Sequence, residues 1–170
     1  MARDEEFAAF VAARYRALVR TGLLLAGDAG HAEDLAQSAL IRTYMAWGRL
    51  RDPANAEGYA RRTLVRLALR ARQRRWTAEI AAGRTPAETG TGTASPASDD
   101  LAIDVCRALA ALPAGQRAVL VLRYLDDQSE EQTARLLNVP LGTVKSRAAR
   151  GLAGLREAGL LDLEGGRHDR

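Results

Sequence analysis

The chain has 170 residues, of which 47% are apolar and only 5% aromatic. One cysteine, Cys106, excludes an internal disulfide framework, and two distant histidines leave no Cys/His cluster of metal-binding spacing. A net charge of +4 and a pI near 9.8 fit a polyanionic partner, and a core carried by Ala and Leu favours helices over a β-sandwich.

The acidic N-terminus "MARDEEFAAF" lacks the apolar stretch of a secretory signal. No apolar run approaches membrane-spanning length, so the chain reads as cytoplasmic with no membrane insertion. The first helix is expected over about Asp4 to Ala26, burying Phe7, Phe10, Val11, Leu18 and Leu25. "GDAG" interrupts it, and Asp28 is placed to cap a second helix, Ala29 to Trp47. That helix carries Leu35, Ala39, Ile41, Tyr44 and Met45. Gly48, Pro53 and Gly58 mark a turn, after which Asn55 caps a third helix, Ala56 to Trp76. Its stretch Arg61 to Arg75 holds seven Arg and no acid. Leu64, Leu67 and Ala68 are spaced to face inward, leaving much of the arginine set outside.

Composition changes at Thr77. From Gly83 onward Gly, Thr, Ser, Pro and Ala dominate, a composition that buries too little surface to offset its ordering entropy. The organisation read from this is all-α: a module over 1–76, a flexible linker over 77–100, a second module over 101–160 and a tail over 161–170. In the second module "LAIDVCRALAAL" is a helix ended by Pro113, and "AGQRAVLVLRYL" is another. Ser129 and Gln132 have capping-box spacing and open a short helix that turns Ala134 and Leu137 inward. Asn138 suits a left-handed C-cap. The last helix, in "GTVKSRAARGLAGLR", buries Val144, Ala148, Leu152 and Leu155 and turns cations outward.

A short capped helix, a tight turn and a basic helix form the helix-turn-helix arrangement. Thr143, Lys145, Ser146, Arg147 and Arg150 sit where base edges and phosphates would be met in a major groove. A solvated basic face is the plainer alternative. No carboxylate cluster, nucleophile elbow or phosphate-binding Gly loop supports an enzyme, and no cofactor or metal is implied.

The stretch Leu112 to Arg156 resembles region 4 of bacterial RNA polymerase sigma factors of the small extracytoplasmic-function group. "AGDAGHAEDLAQSALIRTYMAWGRL" and "YARRTLVRLALRARQRR" resemble region 2 of the same group, and the nearest likeness is to actinobacterial SigE-like members. The resemblance implies a non-catalytic factor that binds core RNA polymerase and directs initiation at promoter DNA. Its partners would be the clamp coiled coil of the largest subunit and the flap of the second largest. Asp34, Gln37, Leu40 and Ile41 would dock on the clamp. Plain core burial of Leu40 and Ile41 stays open beside that role. Trp47, Arg49, Asn55, Tyr59, Arg61, Arg62 and Arg66 would meet the −10 element, with Tyr44 and Trp47 as stacking platforms, although a core position suits Tyr44 better. The last helix would read the −35 element. Many members are held by an anti-sigma factor that clamps both modules. This chain departs from the group's pattern at Ser38, where an acid is usual, at Arg66 and Arg70, where Asn and Asp are frequent, and at Pro140. A stand-alone helix-turn-helix regulator is the competing reading.

Overall fold

The computed structural model describes residues 2–50, 52–81 and 100–159. These fold as seven α-helices with no strand among them: α1 Ala2–Ala26, α2 Ala29–Ala46, α3 Pro53–Ala81, α4 Asp100–Ala111, α5 Ala114–Leu120, α6 Glu130–Leu137 and α7 Leu141–Glu157. The linker expected past Ala81 and the tail expected over 161–170 lie outside the described residues.

In the first bundle, α1 and α2 lie close together. A Cβ on Gly22 would come within 3.1 Å of the Ala32 carbonyl oxygen, so a glycine permits the approach. Asp28 caps α2 as expected, its Oδ1 accepting from the His31 N–H at 2.8 Å. α3 crosses the pair and buries Ala56, Ala60, Leu64, Val65 and Ala68 against Phe10, Leu18, Leu35 and Leu40. Each such large side chain contributes about 1.5–3 kcal/mol on removal from water.

Three expectations are corrected here. α3 starts at Pro53 rather than Ala56, and Asn55 lies inside its first turn instead of capping it. Proline at a helix start loses no hydrogen bond and presets φ, and the Ala56 N–H bonds back to the Asp52 carbonyl at 3.1 Å. α3 also runs on through Ala81, because nothing before Gly83 breaks a helix. On α2, Tyr44 is exposed rather than in the core, as are Ile41 and Met45; Ile41 is 61% and Met45 73% accessible. The inward stripe is Leu35, Ala36, Ala39, Leu40 and Thr43, which leaves the other apolar residues on the far side.

In the second bundle, α5 does not end cleanly. It widens into a π turn over Val121–Leu125, with the Asp126 N–H bonded to the Val121 carbonyl at 2.9 Å. The capping box on α6 is complete: the Gln132 N–H donates to Ser129 Oγ at 3.1 Å and the Ser129 N–H to Gln132 Oε1 at 2.7 Å. Asn138 takes the left-handed conformation at φ 54°, as expected. The fully buried residues of α6 are Thr133 and Leu136; Leu137 packs partly buried against the core as expected, while Ala134 is only half-buried.

The two bundles pack against each other. Buried Arg117 of α5 joins them: it donates to the carbonyls of Leu109 and Ala110 at the end of α4, and to that of Leu25 at the end of α1 at 2.9 Å. A cation there bonds carbonyls at two helix ends and complements both dipoles. Burial, with the charge of Arg72 second, pushes Arg117 down to about 9, so the guanidinium stays charged at neutral pH.

Candidate nucleic-acid interface

α7 packs on α5 along its glycines. A Cβ on Gly151 would lie 2.9 Å from Leu120 Cδ1, and one on Gly154 2.8 Å from Leu112 Cδ2. Val144 is fully buried. This seating turns the basic side of α7 away from the bundle. Lys145 and Arg150 are exposed, while Thr143, Ser146 and Arg147 are half-buried. Lys145 Nζ is 3.7 Å from Glu130 Oε2, a partly solvated pair of small worth. Ser146 Oγ donates to the Thr143 carbonyl at 3.1 Å. The Arg147 guanidinium lies against Gly115 at the start of α5, where a Cβ would collide with it at 2.9 Å. α7 thus offers one contiguous strip of cations and hydroxyls, with Arg147 held from below.

On the first bundle, Arg49, Asn55, Arg62 and Arg66 are exposed and Tyr59 is half-buried. Arg70 and Arg74 continue the cationic face and, with Gln73 and Thr77, line a shallow groove along α3. Two candidates for this surface are engaged elsewhere. Trp47 is half-buried in an aromatic cluster, 5.1 Å from the Phe7 ring and 5.2 Å from Phe10 by ring centroids. Arg61 is paired with Glu57 at 3.1 Å and with Asp126 of the second bundle at 2.6 Å. Its spacing on α3 placed it with the outward arginines, but its partner lies 65 positions away in the chain, beyond the reach of any local pattern.

Asp34 and Gln37 are exposed on α2, in line with exposed Ile41 and Met45 at helical spacing. Leu40 belongs to the core and presents no side chain there. Met45 was missed as a surface residue; its register with Asp34, Gln37 and Ile41 was the available signal. Tyr44 borders this stripe. Its hydroxyl donates to Asp4 Oδ1 at 2.7 Å and its ring lies 4.9 Å from Phe7, with the Arg3 guanidinium 5.0 Å from its centre. The hydrogen bond to Asp4, then the Asp4 charge, raises the phenol above its ordinary value.

No group of three or more His, Cys, Asp or Glu is placed to hold a metal among the described residues. Cys106 is half-buried, and burial pushes its thiol up. None of the described helices is long and apolar enough to cross a membrane.

Residues 10–77 match the family model for sigma-70 region 2, and residues 104–155 that for sigma-70 region 4. The RNA polymerase sigma-E factor of Streptomyces avermitilis is 37% identical over 153 residues, covering 89% of this chain and 84% of its own. The chain belongs to the sigma-70 family, in its extracytoplasmic-function group. This sigma factor is also 38% identical to the sigma-E factor of Streptomyces antibioticus, over 92% of the chain and 87% of that protein. It is 36% identical to the sigma factor SigM of Mycobacterium tuberculosis, over 83% and 70%. The sigma factor RpoE of Bartonella quintana, solved in complex with the anti-sigma factor NepR, shares the fold with a TM-score of 0.74 at 24% identity, over 95% of this chain and 99% of that one. A stand-alone helix-turn-helix regulator is not favoured, since the α1–α3 bundle is itself a sigma module. The sigma factor directs promoter-specific transcription initiation with RNA polymerase.

Proposed function

We propose that the sigma factor docks on the clamp coiled coil of core RNA polymerase through Asp34, Gln37, Ile41 and Met45. The observation that carries this is two large apolar side chains left in water on one stripe of α2, flanked by polar groups. An exposed patch of that kind marks a protein-binding face. Leu40 supports the stripe from the core. Region 4 would rest on the flap of the second largest subunit. The −10 element would meet Arg49, Asn55, Tyr59, Arg62 and Arg66, with Arg61 joining once it leaves Asp126. Trp47 would shape the turn that receives a flipped base rather than stack on one. The −35 duplex would be read by Thr143, Lys145, Ser146, Arg147 and Arg150. Phosphate contacts by these cations make binding fall steeply with salt. The protein works in the cytoplasm and catalyses no reaction of its own. An anti-sigma factor, such as the one bound to the Bartonella relative, is a candidate regulator.

The test is a pair of variants. Ile41→Glu with Met45→Glu is expected to cut capture of core polymerase at least about tenfold, a loss of roughly 1.4 kcal/mol or more, with no fall in melting temperature because both side chains are exposed. Arg150→Glu is expected to leave capture intact and reduce initiation at promoters carrying a −35 element. Unchanged capture by the α2 variant refutes the docking face.

A further inference from the structure

We infer that Glu130 is a positioning residue of the −35 interface: it holds Lys145 at the edge of the recognition strip and makes the lysine's contact with DNA conditional on base sequence. This deepens the promoter reading above and rests on it.

The Glu130 carboxylate is held from two sides by two other elements. Its Oε2 lies 3.7 Å from Lys145 Nζ on α7, and its Oε1 lies 4.0 Å from Arg123 Nη2 in the π turn that follows α5. Arg123 is itself fixed, since its Nη1 donates to the Gln128 carbonyl at 2.7 Å. Glu130 opens α6 directly after the cap Ser129, so the capping box sets its backbone. An acid thus sits beside the cationic strip of α7, on the first helix of the helix-turn-helix. In that arrangement the first helix crosses the phosphate backbone.

Stability does not explain the placement. Lys145 is exposed, Glu130 and Arg123 are half-buried, and ion pairs so far in water add little to a fold. The identity of the cation is informative too. Lys145 is the one lysine among 25 basic side chains. Its ammonium is a point charge on a flexible stem, and it takes a defined position only when something pins it.

The consequence falls on binding. A strip of bare cations grips any duplex, because counterion release is indifferent to sequence. With Glu130 present, a phosphate that approaches Lys145 also approaches a carboxylate, and Lys145 must give up a partner it already has. Guanine offers O6 and N7 acceptors in the major groove, which can take the ammonium while the carboxylate keeps Arg123. A duplex without such acceptors there meets the repulsion and supplies nothing in exchange. Glu130 therefore discriminates by opposing the wrong partner, a device that specific interfaces use alongside attraction.

The test uses the full chain with core polymerase and two DNA probes. One is a random-sequence duplex library whose bound members are sequenced; the other is a single duplex of arbitrary sequence. Glu130→Gln keeps the size of the side chain and leaves the cap in place. Enrichment at the −35 positions is expected to fall at least about fivefold, while the −10 profile, met by the other bundle, stays as it was. The arbitrary duplex is expected to bind at least about fivefold more tightly, with a salt slope steeper by about one. In a Lys145→Gln background the same change should lose most of its effect, the non-additivity that marks a coupled pair. A merely structural role would weaken the binding of both probes together, and that result overturns the inference. An unchanged −35 profile overturns it as well, as does an equal effect without Lys145. If the unaltered chain enriches no sequence at all, the promoter reading fails and the role of Glu130 falls with it.

Discussion

Gly151 and Gly142 lie on one helix and have opposite requirements. A Cβ at Gly151 meets Leu120, itself buried, at 2.9 Å, whereas one at Gly142 meets nothing within 4 Å. Gly151→Val is expected to lower stability by about 1–3 kcal/mol through overpacking. Gly142→Ala is expected to raise it by about 0.5 kcal/mol, since alanine restricts the unfolded chain. Thermal denaturation of both variants checks the contrast, and similar shifts would refute the close seating of α7 on α5. Neither role is legible locally, because a glycine's reason is a partner elsewhere in the chain. The same holds for Arg61. Its charge and spacing are visible, but its carboxylate lies on another bundle.

At the scale of elements, local chemistry was the most legible. Asp28, Ser129 with Gln132, and Asn138 each fix a helix end through groups within three or four residues, and each stands as the sequence implied. Ser129→Ala is expected to cost about 1 kcal/mol by removing one half of the capping box. Loss of helical ellipticity at lower urea concentration measures it. Helix faces were harder to read. Ile41 and Met45 have the composition of a core and the exposure of a surface, as the proposed docking face on α2 would require. The inward stripe of α2 is mostly small residues, Ala32, Ala36, Ala39 and Thr43 beside Leu35 and Leu40, and small residues give a weak periodic signal. The π turn at Val121–Leu125 was hidden for a similar reason, since it adds one residue within a strongly apolar run whose periodicity is weak.

For the molecule as a whole, the interface between bundles carries a pH dependence of definite sign. Asp126 faces Arg61 and Arg20, with Glu57 beyond them and Arg14 paired to Glu57. Burial is the larger influence and holds its carboxyl above the ordinary 3.8. A group raised on folding contributes stability that is fully present below its unfolded value and is lost as pH rises through its folded one. The melting temperature of the native chain, taken relative to Asp126→Asn, is therefore expected to decline as pH rises from 3.8 through the raised value. A flat difference across that range would refute the burial of this carboxyl.

Arg117 sets what would be left behind were the bundles to separate. Two of its three carbonyl partners, Leu109 and Ala110, belong to its own bundle, and only Leu25 lies across the divide. On parting, α1 surrenders a single terminal carbonyl to water, which hydrates it readily. The guanidinium stays anchored and α4 keeps its cap. Separation is then a peeling of finished surfaces, without melting of either lobe. Amide hydrogen exchange should accordingly stay slow through α5 in any variant whose bundles are driven apart.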